Sequence, residues 1–241
     1  MQPYCWAIPM KHRSSVFLFA LLFSGCVAPQ SDLQPLPIDQ APMYGGVDRQ
    51  SVPELKKADD AFVESTSAAF GGREKAAKRW VDEAFASYHH KDLETAMRRF
   101  NQAWLLDPNN PAVYWGFGAI LHDRGSALGA YDMGMRAYKL GFRDPSFLAD
   151  LGRAAALRIV ETKDLPPDQR AAFIAESESY YEEAITNGEA LGYIYDSWAT
   201  AKYWMGDYAG AWEKVKSAQA HGSAPDDDFL SLLAQKMPEP K

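Results

Sequence analysis

The spacing of apolar and polar residues predicts helices over most of the chain. A first helix is expected from Val52 to Ala69, where Ser51-Val52-Pro53-Glu54 has the spacing of a capping box and Gly71-Gly72 stops the helix. Helical patterns then continue to the C-terminus, and no run of residues has the pattern of a strand. The expected fold class is therefore all-α.

Small and turn-forming residues repeat along this helical region with a period of 34 residues. The matched positions are Ala84, Gly118 and Gly152, Ala96 and Ala130, Ala103 and Ala137, Pro111 and Pro145, and Ala184 and Ala218. The step from Ala137 to Ala184 is 47 residues, which indicates an insertion of about 13 residues near positions 158–170, where KDLPPDQ has the composition of a loop. Four helix pairs are expected between residues 73 and 222.

This period resembles that of the tetratricopeptide repeat (TPR). The segment EAFASYHHKDLETAMRRFNQAWLLDPNNP, Glu83 to Pro111, resembles one repeat almost throughout, and MGDYAGAWEKVKSAQAHG, Met205 to Gly222, resembles another. The resemblance implies a right-handed α-solenoid, or superhelix, of antiparallel helix pairs. Because the end pairs of such a stack need covering, a capping helix is expected at 51–72 and a second, with the tail, at 223–241.

The first 25 residues have a different pattern. The basic segment Lys11-His12-Arg13 precedes an unbroken apolar run from Val16 to Phe23, and Ser24 and Gly25 follow. A bilayer-spanning helix needs about 20 apolar residues, so this run is too short to be one. Basic, apolar and small residues in this order are typical of a secretory signal segment, with Met10 as an alternative translation start.

Phe23-Ser24-Gly25-Cys26 resembles the lipobox of bacterial lipoproteins. The resemblance implies that Cys26 becomes the lipidated N-terminus, and that Val27, where an Asp favours inner-membrane retention, directs the protein to the outer membrane, facing the periplasm. Cys5 lies ahead of the signal, so Cys26 would be the only cysteine left and no internal disulfide would form. The alternative is an ordinary signal peptide with an incidental cysteine.

Residues 26–50 are rich in proline and contain Gly45-Gly46, which predicts a flexible tether between the membrane and the folded body. Removal of Lys11 and Arg13 with the signal would leave 23 basic and 32 acidic side chains, a net charge of −9. Nucleic-acid binding is not expected of so acidic a chain, because phosphates require clustered Lys and Arg.

No pattern of catalytic residues is evident, and we expect neither an enzyme nor a metal site or cofactor. Adjacent His89 and His90 point about 100° apart on a helix and do not converge on one metal. His122-Asp123-Arg124 lies on one helical turn without a nucleophile beside it. The chain also lacks the His-Glu-x-x-His, Gly-x-Ser-x-Gly and phosphate-loop motifs.

The resemblance also implies that the first helices of successive pairs line a concave groove that receives peptides or partner helices. Carried onto this sequence, the protein-binding groove comprises Lys78, Phe85, Tyr88, Trp115, His122, Asp123, Arg153, Tyr193, Asp196 and Tyr203. Aromatic residues with an Arg are the types that dominate interface energies. For Trp115, a role in packing is an equally good interpretation.

The leading functional hypothesis is a lipid-anchored scaffold or adaptor that binds envelope proteins or peptides, in envelope biogenesis, secretion or the regulation of cell-wall enzymes. It would contact the membrane through lipidated Cys26. Three alternatives stay open. One is a non-catalytic subunit or regulator of an envelope enzyme, and another is a structural lipoprotein that associates with itself as a homodimer. The third is a membrane-bound enzyme whose site is not recognised from the sequence.

Overall fold

The computed structural model describes residues 37–186 and 188–240. The expectations for the signal segment, for Met10 and for Cys26 lie outside these residues. Within the described part the chain forms helices and no strand, and none of its helices is long and apolar enough to cross a membrane. The α-helices are α1 (Pro53–Phe70), α2 (Arg73–His89), α3 (Leu93–Leu106), α4 (Pro111–Asp123), α5 (Ala127–Lys139), α6 (Pro145–Glu161), α7 (Pro167–Ile185), α8 (Leu191–Met205), α9 (Tyr208–Ala220) and α10 (Asp227–Lys236).

The helices pack mainly against their neighbours in sequence, which confirms an all-α fold of repeat type. The closest partners are α2 with α3, α4 with α5, α6 with α7 and α8 with α9, while α1 covers α2 and α10 covers α9. The first helices of these pairs, α2, α4, α6 and α8, also contact one another in order. We call these four the inner helices.

One large apolar core runs through the helix pairs, and two smaller clusters lie at the ends. The large core extends from α2 to α8 and includes the fully buried Phe100, Phe117 and Phe147. The C-terminal cluster joins α8, α9 and α10 around Trp212 and Phe229. Burial of apolar surface between neighbouring helices is therefore continuous from α2 to α8, as expected for stacked pairs.

Small residues at the 34-residue period lie where two helices approach closely. Ala84 is fully buried, and a Cβ on Gly118 would lie 3.1 Å from the backbone oxygen of Ala130. A Cβ on Gly152 would lie 2.8 Å from the ring of Tyr181. In the same contact the hydroxyl of Ser177 donates to the carbonyl of Gly152 at 2.7 Å, which satisfies a polar group that is fully buried.

Side chains of Asp or Asn start most of the helices after α2. The N-cap oxygen accepts a backbone N–H of the first turn at Asp92, Asn110, Asp144, Asp207 and Asp226. Such caps satisfy donors that the helix itself leaves unpaired. The acidic run Asp226-Asp227-Asp228 therefore begins a helix, where negative charge is favoured by the positive end of the helix dipole.

The capping box expected at the start of α1 is absent. The N-cap of α1 is Val52, with no side-chain hydrogen bond, and Pro53 is its first residue. Ser51 belongs to the preceding turn, where its hydroxyl donates to the carbonyl oxygen of Asp48 at 2.9 Å. Ser51 therefore caps nothing, although its spacing to Glu54 fits the motif.

The extra residues of the third pair extend its helices more than its loop. Helices α6 and α7 have 17 and 19 residues, whereas α4 and α5 have 13 each. The connection between α6 and α7 is limited to residues 162–166. The predicted insertion near 158–170 thus adds helical turns on both sides of a short link.

Residues 37–51 fold back onto the helices, and we call this segment the strap. It forms three short 3₁₀ turns, Ile38–Gln40, Pro42–Gly46 and Arg49–Ser51, which contact α3 and α1. The prediction of a flexible tether is therefore wrong for residues 37–50. Its prolines and glycines alone would leave the strap mobile. Its backbone is held by the burial of Gln40 and by hydrogen bonds from Asn101 and Arg124.

Candidate binding face of the inner helices

Half of the predicted groove residues are buried between the inner helices. Each of these five residues has 4% to 9% of its surface exposed; they are Tyr88, Trp115, His122, Arg153 and Tyr193. The inner helices approach one another closely enough for these side chains to contact each other. They therefore form the supporting layer of the face, and the open surface of the face lies elsewhere.

Asp150 on α6, which the sequence analysis did not single out, joins three inner helices. Its Oδ2 accepts the indole N–H of Trp115 from α4 at 2.9 Å. Its Oδ1 accepts the guanidinium of Arg153 at 2.7 Å and the hydroxyl of Tyr193 from α8. Only 8% of Asp150 is exposed. We call these four residues the Asp150 hub.

Burial and the neighbouring groups of the Asp150 hub shift the pKa of Asp150 in opposite directions. Burial raises the pKa of Asp150 to about 6, while Arg153 and the hydrogen bonds from Tyr193 and Trp115 oppose the rise. Removing one partner of a buried pair leaves the other charge uncompensated, typically at a cost of about 3–5 kcal/mol. The hub therefore fixes α4, α6 and α8 relative to one another.

A second polar contact joins α2 to the end of α4. Tyr88 is hydrogen-bonded to the carboxyl group of Asp123. Burial raises the pKa of Asp123, and the Tyr88 hydroxyl, Lys91 and Arg153 oppose the rise. Burial and the charge of Arg153 lower the pKa of His122 to about 3, so this imidazole is neutral near pH 7. A neutral His122 adds no positive charge to the face.

Phe85 and Lys78 on α2 occupy different environments. Phe85 is half-buried, with its ring 5.0 Å from that of Phe100 and 5.1 Å from that of Trp115. Lys78 is exposed and pairs with Asp82 one turn along the same helix, at 3.0 Å. Phe85 therefore supports the buried layer, whereas Lys78 lies on the surface.

The two remaining predicted residues lie further along α8. Asp196 is half-buried, and burial raises its pKa to about 6, against the charge of Arg153. Tyr203 packs against Tyr208 and Phe229 in the C-terminal cluster. Tyr203 is therefore part of the end of the stack, separate from the Asp150 hub.

An open cavity of about 530 Å³ lies beside the hub, at the N-terminal ends of α6 and α8. Trp115 and Tyr193 of the hub line it together with backbone and side chains from the turns that precede α6, precede α8 and follow α9. The lining residues are Trp115, Asp144, Pro145, Ser146, Gly188, Glu189, Ala190, Leu191, Gly192, Tyr193, His221, Gly222 and Ser223. We call this space the hub cavity.

Most of the hub cavity comes from turns that the sequence analysis left out. Gly188 and Gly222 have φ of 68° and 79°, a left-handed conformation that glycine adopts without strain. A Cβ on Gly192 would lie 2.8 Å from the carbonyl oxygen of His221, so the turn after α9 and the start of α8 are in close contact. In the sequence, the glycines at the ends of helix pairs mark these turns and could have indicated the lining residues.

The hub cavity provides aromatic faces, peptide groups and the carboxylates of Asp144 and Glu189, which is chemistry suited to contact with a peptide. The part of the chain that the structure describes contains no group of three His, Cys, Asp or Glu side chains placed to hold a metal ion.

Comparison with known proteins gives no relative: no protein-family model, no curated protein and no solved structure matches this chain.

Proposed function

We propose that this protein is a lipid-anchored TPR scaffold whose hub cavity binds a peptide segment or helix of another cell-envelope protein. The observation that carries the proposal is the open cavity of about 530 Å³ beside the Asp150 hub. A cavity of this size, with aromatic and backbone groups in its lining, suits a few side chains of a partner.

The TPR assignment is supported by agreement between the sequence period and the helix pairs. Ala84, Gly118 and Gly152, each 34 residues apart, lie in α2, α4 and α6, the first helices of three successive pairs. Each repeat of such a protein contacts its neighbours, and the contacts between helices follow the same order.

The Asp150 hub supports a binding role because it holds Trp115 and Tyr193 in place before a partner arrives. Both side chains are hydrogen-bonded to Asp150 and line the hub cavity. Side chains that are already ordered lose little conformational entropy on binding, so more of the contact energy appears as affinity. Trp and Tyr are also frequent among the residues that dominate interface energies.

Membrane attachment rests on the lipobox-like sequence ending at Cys26. Two or more acyl chains would hold the protein stably, since each buried methylene contributes about 0.8 kcal/mol. The chain has a net charge of −7 before any processing, which disfavours adhesion to anionic lipid by charge alone. The proposed location is the outer membrane, with the body in the periplasm.

Two other roles use the same cavity. A regulator or non-catalytic subunit of an envelope enzyme would receive a segment of that enzyme in the hub cavity. A structural lipoprotein that associates with itself would receive a second copy of this chain. The partner that reaches the cavity distinguishes these roles, so the test has to identify it.

Site-specific photocrosslinking in a Gram-negative host tests the proposal. A benzoylphenylalanine at Ser223, in the lining of the hub cavity, is compared with the same group at Ser179, which is exposed on α7. We expect discrete adducts from position 223 that are absent from position 179, with mass spectrometry identifying the partner. An adduct of two copies of the chain would favour self-association, and equal labelling at both positions would contradict binding in the hub cavity.

The same cells report on the anchor. The chain carrying Cys26→Ala should leave the membrane fraction or retain its signal segment, whereas the parent chain should gain the mass of its acyl chains. A parent chain without lipid would refute the anchor and leave the binding proposal standing.

A further inference from the structure

Asn101, in the middle of α3, is fully buried and makes its hydrogen bonds with the strap. Its Nδ2 donates to the carbonyl oxygens of Asp39 at 3.0 Å and Ala41 at 2.9 Å. Its Oδ1 accepts the backbone N–H of Tyr44 at 3.2 Å. Both amide donors and the acceptor thus contact peptide groups. A single side chain of α3 thus binds the backbone of an irregular segment 57 to 62 residues away in sequence.

Gln40 provides a second attachment point on the strap. Its side chain donates to the carbonyl oxygen of Glu94 on α3 at 3.1 Å, and only 5% of the residue is exposed. Arg124, which follows α4, donates to the Gln40 carbonyl at 2.7 Å and to its side-chain oxygen at 2.8 Å. Residues from two helix pairs therefore hold this one position of the strap.

The docked strap contains four consecutive residues with left-handed backbone. Met43 and Tyr44 have φ of 51° and 54°, and Gly45 and Gly46 have φ of 67° and 75°. Glycine adopts this conformation readily, but residues with a side chain do so only when their surroundings compensate the strain. Met43 packs against the large core, and Tyr44 is held by Asn101. The docked conformation is thus imposed by the binding site and would relax on release.

The C-terminal end of the strap is attached separately. Arg49 donates two hydrogen bonds to the carboxylate of Asp59 on α1, at 2.7 Å and 2.5 Å, and its guanidinium lies 4.1 Å from the centre of the Tyr44 ring. The strap therefore contacts α1, α3, the region around Arg124 and, through the sulfur of Met43, Arg136 of α5 at 3.5 Å. The hub cavity has no strap residue in its lining.

We propose that Asn101, Arg124 and the adjoining surface of α3 form a peptide-binding site, and that residues 38–46 of the chain are its resident and releasable ligand. The site recognises mainly backbone groups, so its ligand is an extended or turn-forming peptide. Release would free residues 38–46 and lengthen the reach of the N-terminal region by up to about 30 Å. The site is independent of the hub cavity and of what that cavity binds.

Hydrogen exchange on the full-length chain tests this proposal. Asn101→Ala removes all three bonds to the strap and keeps a good helix former on α3. We expect exchange of residues 38–46 to accelerate about tenfold or more, with α2 to α5 unchanged, because the segment opens locally. Asn109→Ala, the same change at an exposed turn position, is the control and should leave the strap protected. Unchanged exchange of the strap, or equal acceleration in α3 and α4, would overturn the proposal.

A second measurement tests the site directly. A labelled peptide of residues 37–47 is added to the full-length chain carrying Gln40→Ala and Met43→Ser, which weaken the resident strap. We expect the peptide to bind, and Asn101→Ala in the same chain to weaken its binding about tenfold or more. Absence of binding at millimolar peptide, or binding that Asn101→Ala does not alter, would show that the site does not accept an exchangeable ligand.

Discussion

Asp196 is a half-buried carboxylate whose ionisation should lower the stability of the protein near neutral pH. Burial raises its pKa to about 6 from an ordinary 3.8, the charge of Asp226 reinforces this, and that of Arg153 opposes it. Below the unfolded pKa the group is protonated in both states and costs nothing. As the pH rises through 6 the folded state also loses the proton, and the full penalty is present above that pH. We expect Asp196→Asn to raise the free energy of unfolding at pH 7.5 by about 1 kcal/mol, and hardly at all below pH 4.

Urea denaturation of the variant and the parent chain at both pH values measures this difference. Asp132→Asn, at an exposed position of α5, makes the same change in net charge and should have little effect at either pH. An equal gain for Asp196→Asn at pH 4 and pH 7.5 would mean that the amide improves packing and that ionisation is not the cause.

At this scale the sequence predicts which residues share a face and not how deeply they are buried. The resemblance to a repeat family placed Trp115, Arg153 and Tyr193 together in the predicted groove, and the structure brings these three side chains together. Their common partner, Asp150, lies 35 and 43 residues from Trp115 and Tyr193. The burial of all four depends on how closely three helices approach, which is a tertiary property and leaves no local signal.

Gly116 of α4 lies directly against the ring of Phe100 on α3. A Cβ at this position would lie 2.0 to 2.5 Å from ring atoms of Phe100, which is itself fully buried and has no space to move. We expect Gly116→Ala to lower the free energy of unfolding by about 2 kcal/mol, because overpacking of the core outweighs the gain in helix propensity. Chemical denaturation of the full chain measures the loss.

Gly129 on the neighbouring helix α5 is the matched control. A Cβ there would lie 2.7 Å from the hydroxyl of Ser126, the end of a side chain that can rotate away. Gly129→Ala should therefore be neutral or raise the free energy of unfolding by up to about 1 kcal/mol. Equal effects of the two substitutions would mean that Phe100 does not set the distance between α3 and α4.

At the scale of elements, the start of a helix could be predicted where a single capping side chain determines it. Asp92 and Asp226 are N-caps of a residue type that favours this position, and each cap needs only its own side chain and the next turn. Ser51 and Glu54 fit a motif just as well, yet the turn containing Ser51 directs its hydroxyl to the carbonyl of Asp48. A local motif fails when an adjacent segment is fixed by distant contacts.

Over the whole molecule, the 34-residue period predicted the number and order of the helix pairs, and composition failed for the strap. A period is a sum over many positions, so one departure does not remove it. Ser177 stands seven residues before Ala184, a place where the first two pairs have an alanine, and its hydroxyl donates to the Gly152 carbonyl. The strap was expected to be flexible because of its prolines and glycines. Its order depends on Asn101 and Arg124, which are 57 or more residues away and are not distinguished by any motif.

The separation of the core into a large cluster and a C-terminal cluster predicts that the end of the stack opens independently. Phe229 of α10 is 2% exposed and packs in the cluster shared with α8 and α9, whereas Phe117 is fully buried in the large core. Each Phe→Ala change should cost about 3–5 kcal/mol locally. Because stability in stacked repeats depends mainly on nearest neighbours, Phe229→Ala should accelerate hydrogen exchange in α9 and α10 about tenfold or more and leave α2 to α5 unchanged. Phe117→Ala should accelerate exchange in α3, α4 and α5. If Phe229→Ala instead accelerated exchange equally in every helix, the protein would open as one cooperative unit and the stack would have no independent end.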